Sequence, residues 1–141
     1  MLNEYFEVMV EVIFKAGGTL DKFIGDAIMA VWGAPIAIED HCGRAVQAAL
    51  EMQAACESLN RERARQGFEP IHIGVGVNTG ELVAGYMGSS RAMDYTVIGD
   101  AVNVGSRLCS NAARGEVLVS RSVVERVGGR FRCEALPPTQ L

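Results

Sequence analysis

The sequence lacks a long apolar run, is poor in aromatic residues and carries no excess of basic charge. Residues 27–38 form its longest uncharged stretch, which Gly33 and Pro35 interrupt, whereas a helical membrane span needs about 20 apolar residues. With 13 basic against 17 acidic residues, the chain has no cationic surplus for binding nucleic-acid phosphates. Its 49% hydrophobic content excludes an intrinsically disordered chain. We therefore expect a globular domain with no nucleic-acid partner and no membrane contact.

The residue clusters of several common sites are also missing. The four cysteines stand far apart without a C-x-x-C motif, and the two histidines are not spaced from them as zinc ligands are. The sequence has no G-x-x-x-x-G-K-[ST] phosphate loop, and neither histidine has an evident nucleophile partner. We expect reduced thiols, with Cys42, Cys56 and Cys109 buried on apolar helical faces.

Hydrophobic periodicity and turn residues divide the chain into alternating helices and strands. The dipeptide Gly25-Asp26 predicts a tight hairpin between strands 19–24 and 27–32. The alternation over 71–77 predicts a strand whose glycine-rich row lies against another backbone or a ligand, and 81–87 is expected to return as its partner. The other predicted elements are helices over 2–15, 39–65, 100–111 (capped by Asp100) and 121–127, and strands over 93–98 and 116–120. This pattern predicts an α+β fold with helices over one face of the sheet.

Two charged residues of the predicted hairpin have both a structural and a functional interpretation. Asp26 stands at the turn, where aspartate is common, but a carboxylate on a rigid hairpin also suits a hard cation such as Mg²⁺. Lys22 alternates with Leu20 and Ile24 on an otherwise apolar row. It either extends its ammonium to the sheet edge or directs it at a ligand or a partner chain.

Three further polar residues suit phosphate or ribose oxygens, or an ordinary exposed surface. Asn103 and Arg107 are four residues apart on one predicted helix, so they share a face. An amide and a guanidinium arranged in this way can bind ribose or phosphate oxygens, although exposed pairs of this kind are common. Arg91 lies in a loop with glycine and serine neighbours, where both interpretations also stand.

Two longer stretches carry a family resemblance. Residues 17–33 (GGTLDKFIGDAIMAVWG) and 94–108 (DYTVIGDAVNVGSRL) resemble the class III nucleotidyl cyclase catalytic domain, and 74–85 (GVGVNTGELVAG) is similar to the central hairpin of that family. The likeness runs in the right order over essentially the whole chain. It implies a ferredoxin-like, palm-type antiparallel sheet with helices on one face. It also implies a head-to-tail homodimer that converts ATP to 3′,5′-cyclic AMP and pyrophosphate.

The resemblance assigns roles to the residues of the hairpin and to Thr96. Asp26 would be one of two aspartates that bind a pair of Mg²⁺ or Mn²⁺ ions. Lys22 would bind the purine ring, with Thr96 as its companion in base selection. A lysine at this position points to ATP, because guanylate cyclases usually carry an acidic residue there. Threonine at the companion position resembles bacterial adenylate cyclases, where animal-type enzymes have aspartate.

The remaining roles fall on the second half of the chain. By the same resemblance, Asn103 would orient the ribose and Arg107 would stabilise charge on the reacting phosphate. Arg91 would lie near the triphosphate. These two catalytic and three substrate-binding residues, with Asp26, form the site that the resemblance implies.

Two features of the family have no counterpart in these residues. The opening strand with the first metal-binding aspartate is missing, and so is the C-terminal hairpin that usually supplies a triphosphate-binding lysine. We therefore expect residues 1–141 to be a partial domain, truncated at both ends, with little or no activity alone and an exposed, association-prone sheet edge. A guanylate cyclase and a non-catalytic cyclase-homology module that dimerises or binds nucleotide are the alternatives. We expect a cytoplasmic catalytic domain, and the resemblance implies that it is fused to sensory or membrane modules in the full-length protein.

Overall fold

A computed structural model describes residues 2–34, 36–89 and 92–136, without the side chains of Leu2, Ala84 and 86–96. Helices alternate with short strands, which confirms the α+β prediction. The helices are α1 (Leu2–Lys15), α2 (His41–Arg65), α3 (Asp100–Asn111) and α4 (Arg121–Val127), followed by a 3₁₀ turn (Gly128–Arg130). The strands are β1 (Thr19–Ile24), β2 (Ala27–Val31), β3 (Val75–Val77), β4 (Val83–Ser89), β5 (Ala92–Ile98) and β6 (Val117–Val119).

The strands pair two by two in the part of the chain that is described. β1 and β2 form the predicted antiparallel hairpin, in which Ile24 pairs with Ala27 across the turn and Gly25 adopts a φ of 60°. β4 and β5 form a second antiparallel pair, whereas β3 pairs with β6 in parallel. The expectation that 81–87 pairs with 71–77 is therefore wrong. β3 receives its partner from the distant 117–119 segment instead.

The strand predicted over 71–77 is regular only in its last three residues, and side chains of α2 bind the backbone before them. The Asn60 amide group donates to the carbonyl oxygen of Ile71 (2.6 Å) and accepts from its N–H (2.7 Å). The Gln53 amide donates to the carbonyl oxygen of Ile73 (3.0 Å). The Ile73 carbonyl oxygen also accepts from the Gly115 N–H (2.8 Å), so this segment is bound both by α2 and by the chain that leads into β6.

The glycine row of this segment lies against a backbone, as the alternation predicted. A Cβ placed on Gly76 would come within 2.8 Å of the Gly105 carbonyl oxygen and still closer to the Cys109 amide nitrogen. Only a residue without a side chain allows α3 to approach β3 this closely. This contact fixes the distance between α3 and the β3–β6 pair.

The hydrophobic core joins the helices to the β3–β6 pair. Cys42 and Val46 of α2 pack with Val123 and Val127 of α4, and Val77 and Val119 contact this cluster from the strands. On α1, the side chains of Met9 and Ile13 are buried. Of the cysteines, Cys42 and Cys56 are buried as predicted, but Cys109 is exposed because its position on α3 borders open space. No helix among the described residues is long and apolar enough to cross a bilayer.

Candidate active site

The tip of the β1–β2 hairpin presents Asp26 in an exposed position. Tyr5 of α1 lines the same cavity as Asp26. Burial raises the pKa of the Tyr5 phenol to about 12, and the negative charge of Asp26 adds to this effect. The sequence does not mark Tyr5 as a site residue. Its only signal was its position four residues before the buried Met9, which puts both side chains on one helical face.

Lys22 lies on β1 with an exposed side chain. Its row on the strand is interrupted, because the register changes from Leu20 opposite Ala30 to Lys22 opposite Met29. Because of this bulge, the alternating pattern does not establish that Leu20 and Lys22 lie on the same face of the strand. Beyond the bulge the strand is regular, so Lys22 and Ile24 share one face and Phe23 lies on the other, where its ring contacts Phe6 of α1 at a centroid distance of 4.6 Å.

The helix α3 carries Asn103 and Arg107, and both are exposed. Its first residue is Asp100, while Gly99 occupies the capping position, so the predicted aspartate cap is displaced by one residue. The side face through Gly105 and Cys109 packs on β3. Asn103 and Arg107 therefore lie away from the closest contact with the strand.

The side chain of Asn78, just after β3, makes one hydrogen bond to the first turn of α3 and one to the residue after β6. The Asn78 amide donates to the Ala101 carbonyl oxygen (2.9 Å), and its own oxygen accepts from the Ser120 hydroxyl (2.6 Å). Asn78 thus connects the beginning of α3 to the end of β6. The sequence identified it only as a turn residue, because the partners are 23 and 42 residues away.

A cavity of about 1300 Å³ opens between β2 and β3 and extends under α1, α2 and α3. Its lining is mainly apolar, with Asp26 and Glu81 as its acidic residues and Tyr5 contributed by α1. Lys22, Asn103 and Arg107 do not line it. Within one chain, the cavity therefore brings together Asp26 and Tyr5 but not the nitrogen donors proposed to bind nucleotide.

The two other predicted site residues fall where the structure gives no side chains. Arg91 lies outside the described residues. Thr96 is described only as backbone, which pairs with Gly85 in the β4–β5 ladder.

A divalent cation finds only part of a site in the described chain. No group of three or more His, Cys, Asp or Glu side chains that could hold a metal ion occurs among residues 2–34, 36–89 and 92–136 as far as their side chains are described. Asp26 has the right chemistry and exposure for a hard cation, but one carboxylate is too few ligands. The residues at hand therefore do not fit a complete metal site.

Comparison with known proteins decides the family. The sequence pattern of the adenylate and guanylate cyclase catalytic domain matches residues 1–141. The chain belongs to this family. Its relatives include adenylate cyclase 1 of Rhizobium meliloti, 37% identical over 77% of this chain, and the adenylate cyclase of Anabaena cylindrica, 39% identical over 89%. The matched regions cover only 16% and 25% of those two proteins.

The solved structures support the same fold. The guanylyl cyclase Cya2 superposes with a TM-score of 0.91 at 36% identity, over 99% of this chain and 73% of the other. The palm-type α+β fold expected from the resemblance is thereby confirmed. Because adenylate and guanylyl cyclases both appear among these relatives, overall likeness does not identify the purine base.

Proposed function

We propose that this cyclase-family chain is part of an adenylate cyclase catalytic domain, which converts ATP to 3′,5′-cyclic AMP and pyrophosphate. The observation that carries the proposal is the exposed Lys22 on the strand that leads to Asp26. A lysine can donate to the acceptor nitrogens of adenine, and Thr96 is the proposed second contact with the base. The acidic residue usual in guanylate cyclases would instead accept from the donor groups of guanine.

The catalytic work falls on α3. Asn103 orients the ribose so that its 3′-hydroxyl faces the α-phosphorus, and Arg107 neutralises the charge that develops on the phosphate. Arg91 binds the triphosphate. A divalent cation held by Asp26 together with further carboxylates would supply charge that lowers the pKa of the attacking hydroxyl and screens the phosphate oxygens. In this chain Asp26 is the proposed ligand, and the cation needs further carboxylates beyond those described.

The site is proposed to form between two copies arranged head to tail. Two observations support this arrangement. First, Asn103 and Arg107 do not line the cavity that Asp26 borders. Second, the apolar residues Ile24, Val83 and Ile98 are exposed, Val83 pairs with Ile98, and β1 contacts β5. A second copy would cover this apolar surface while its α3 supplied the nitrogen donors.

The test is base preference in the full-length protein with Mg²⁺ or Mn²⁺. We expect ATP to be the substrate and Lys22→Glu to reduce the ratio of kcat/KM for ATP to that for GTP. Lys15→Glu, on the exposed end of α1, is a matched charge reversal that should leave the ratio unchanged. An unaltered ratio in Lys22→Glu would remove the base-selecting role of Lys22, and a wild-type preference for GTP would favour the guanylate cyclase alternative.

The non-catalytic alternative also has an observation in its favour, namely the incomplete metal site among the described residues. Such a module would dimerise or bind nucleotide without turning it over. Cyclic AMP formation by the full-length protein excludes it, whereas the described residues alone should give little or no product because they supply a single proposed metal carboxylate.

A further inference from the structure

The bulge in β1 holds a carboxylate that the proposed function does not use. Asp21 lies between Leu20, which pairs with Ala30, and Lys22, which pairs with Met29, so it has no partner residue on β2. Its side chain is fully buried, with 0% exposure. Neither carboxylate oxygen has a hydrogen-bond partner among the described residues. A buried carboxylate without hydrogen bonds is costly, which calls for a reason why aspartate stands here.

The nearest cation is Lys22 itself. The Lys22 ammonium nitrogen lies 3.7 Å from Oδ2 of Asp21, within ion-pair range but too far for a hydrogen bond of good geometry. Burial raises the pKa of Asp21, and the positive charge of Lys22 opposes that rise. The lysine side chain is 44% exposed, so its ammonium lies at the boundary between the buried carboxylate and open surface.

We propose that Asp21 is a positioning residue that holds the Lys22 ammonium at the place where it meets the purine base. The bulge turns the carboxylate inward beside the ammonium, and a buried neighbour restrains a flexible lysine stem more strongly than a solvated one. Asp21 attracts the ammonium from one side, and an ammonium with three N–H groups can also donate to ring acceptors of the base. This inference rests on the proposed role of Lys22 and adds a specificity-determining residue to it.

A positioning role and a purely structural role of Asp21 lead to different expected results. Asp21→Asn keeps the shape of the side chain and removes its charge. If Asp21 positions Lys22, the variant should lose about five- to tenfold of its discrimination between ATP and GTP, mostly through a higher KM for ATP. Its kcat with ATP should change little, and its melting temperature should not fall, because a buried charge without hydrogen bonds has been removed. Loss of stability with equal effects on both nucleotides would overturn the proposal.

A double-mutant cycle in the full-length protein separates this inference from the proposed function. In a Lys22→Met background, Asp21→Asn should have no further effect on discrimination, because its partner is gone. If Lys22→Met keeps the wild-type preference, the proposed role of Lys22 fails. If Lys22→Met loses the preference but Asp21→Asn keeps it, only the positioning role fails. If neither Asp21→Asn nor Asp21→Ser folds, the carboxylate is structural and the inference is overturned.

Discussion

The β1–β2 hairpin and the junction of β3 with α3 both carry residues of the proposed site, but they are held in different ways. At the junction, backbone meets backbone through Gly76, and Asn78 links the first turn of α3 to Ser120 after β6 by one hydrogen bond to each. In the hairpin, the buried carboxylate of Asp21 lacks a hydrogen bond among the described residues and lies beside the exposed Lys22. A steric contact is therefore the main feature of the junction, whereas the hairpin places two opposite charges side by side.

The two regions also differ in how far the residues that hold the fold are distinct from the residues of the proposed site. At the junction, the residues that make the close contact are not the proposed catalytic residues, which are exposed on α3. A substitution there should affect either activity or stability. In the hairpin, Asp21 interacts with Lys22 and the charge of Asp26 acts on Tyr5, so one substitution should change the properties of another residue.

The largest expected effect at the junction is on activity alone. Arg107→Ala in the full-length protein should lower kcat about 100- to 1000-fold, the usual cost of removing a group that stabilises transition-state charge. Its melting temperature should stay near that of the wild type, since Arg107 is exposed. Arg114→Ala, which removes an exposed arginine just after α3, is the matched control. A loss of less than tenfold would show that Arg107 does not serve the transition state.

The complementary substitution should affect stability alone. Gly76→Ala places a Cβ against the backbone of Gly105 and Cys109, neither of which can move without displacing α3. We expect the free energy of unfolding to fall by about 3 kcal/mol or more, measured by denaturant titration. Gly129→Ala, where a Cβ would meet nothing within 4 Å, should have almost no effect. Equal stability of the two variants would refute the steric account of the junction.

The sequence predicted the elements much better than their contacts. Period and turn residues identified the hairpin and every helix, because Gly25-Asp26 and the apolar stripes are local signals. The parallel pairing of β3 with β6 could not be read in the same way, since the two strands are about 40 residues apart. The family resemblance is confirmed, whereas the roles of Lys22, Asp26, Asn103 and Arg107 stay predictions.

Two features had no local signal at all. The bulge at Asp21 depends on which residues of β2 lie opposite β1, and an alternating pattern cannot reveal an inserted residue. The interaction of Tyr5 with Asp26 joins a helix to a hairpin tip by tertiary packing. Periodicity therefore does not predict interactions between charges that only the folded chain brings together, even where each residue lies in a correctly predicted element.

The smallest expected effect tests the electrostatic coupling of the hairpin. Asp26→Asn should lower the pKa of Tyr5 from about 12, but only by a small part of its elevation above 10.0, because burial is the larger cause. The phenolate absorbance of the three tyrosines, titrated with and without Tyr5→Phe, isolates the signal of Tyr5. Glu125→Gln on α4 should leave that signal unchanged, and an equal shift in both variants would contradict a specific effect of the Asp26 charge.

The same titration carries a sign that stability measurements can check. A phenol whose folded pKa is raised favours the neutral form in the fold, so its contribution to stability is complete below pH 10 and is lost as the pH rises through about 12. The Tyr5→Phe variant should not show this loss of stability with pH. Asp26→Asn should slightly lower the pH at which the loss is complete. If Asp26 had no effect on Tyr5, this pH would be the same in Asp26→Asn and in the wild type. The electrostatic coupling that distinguishes the hairpin from the junction would then be limited to Asp21 and Lys22.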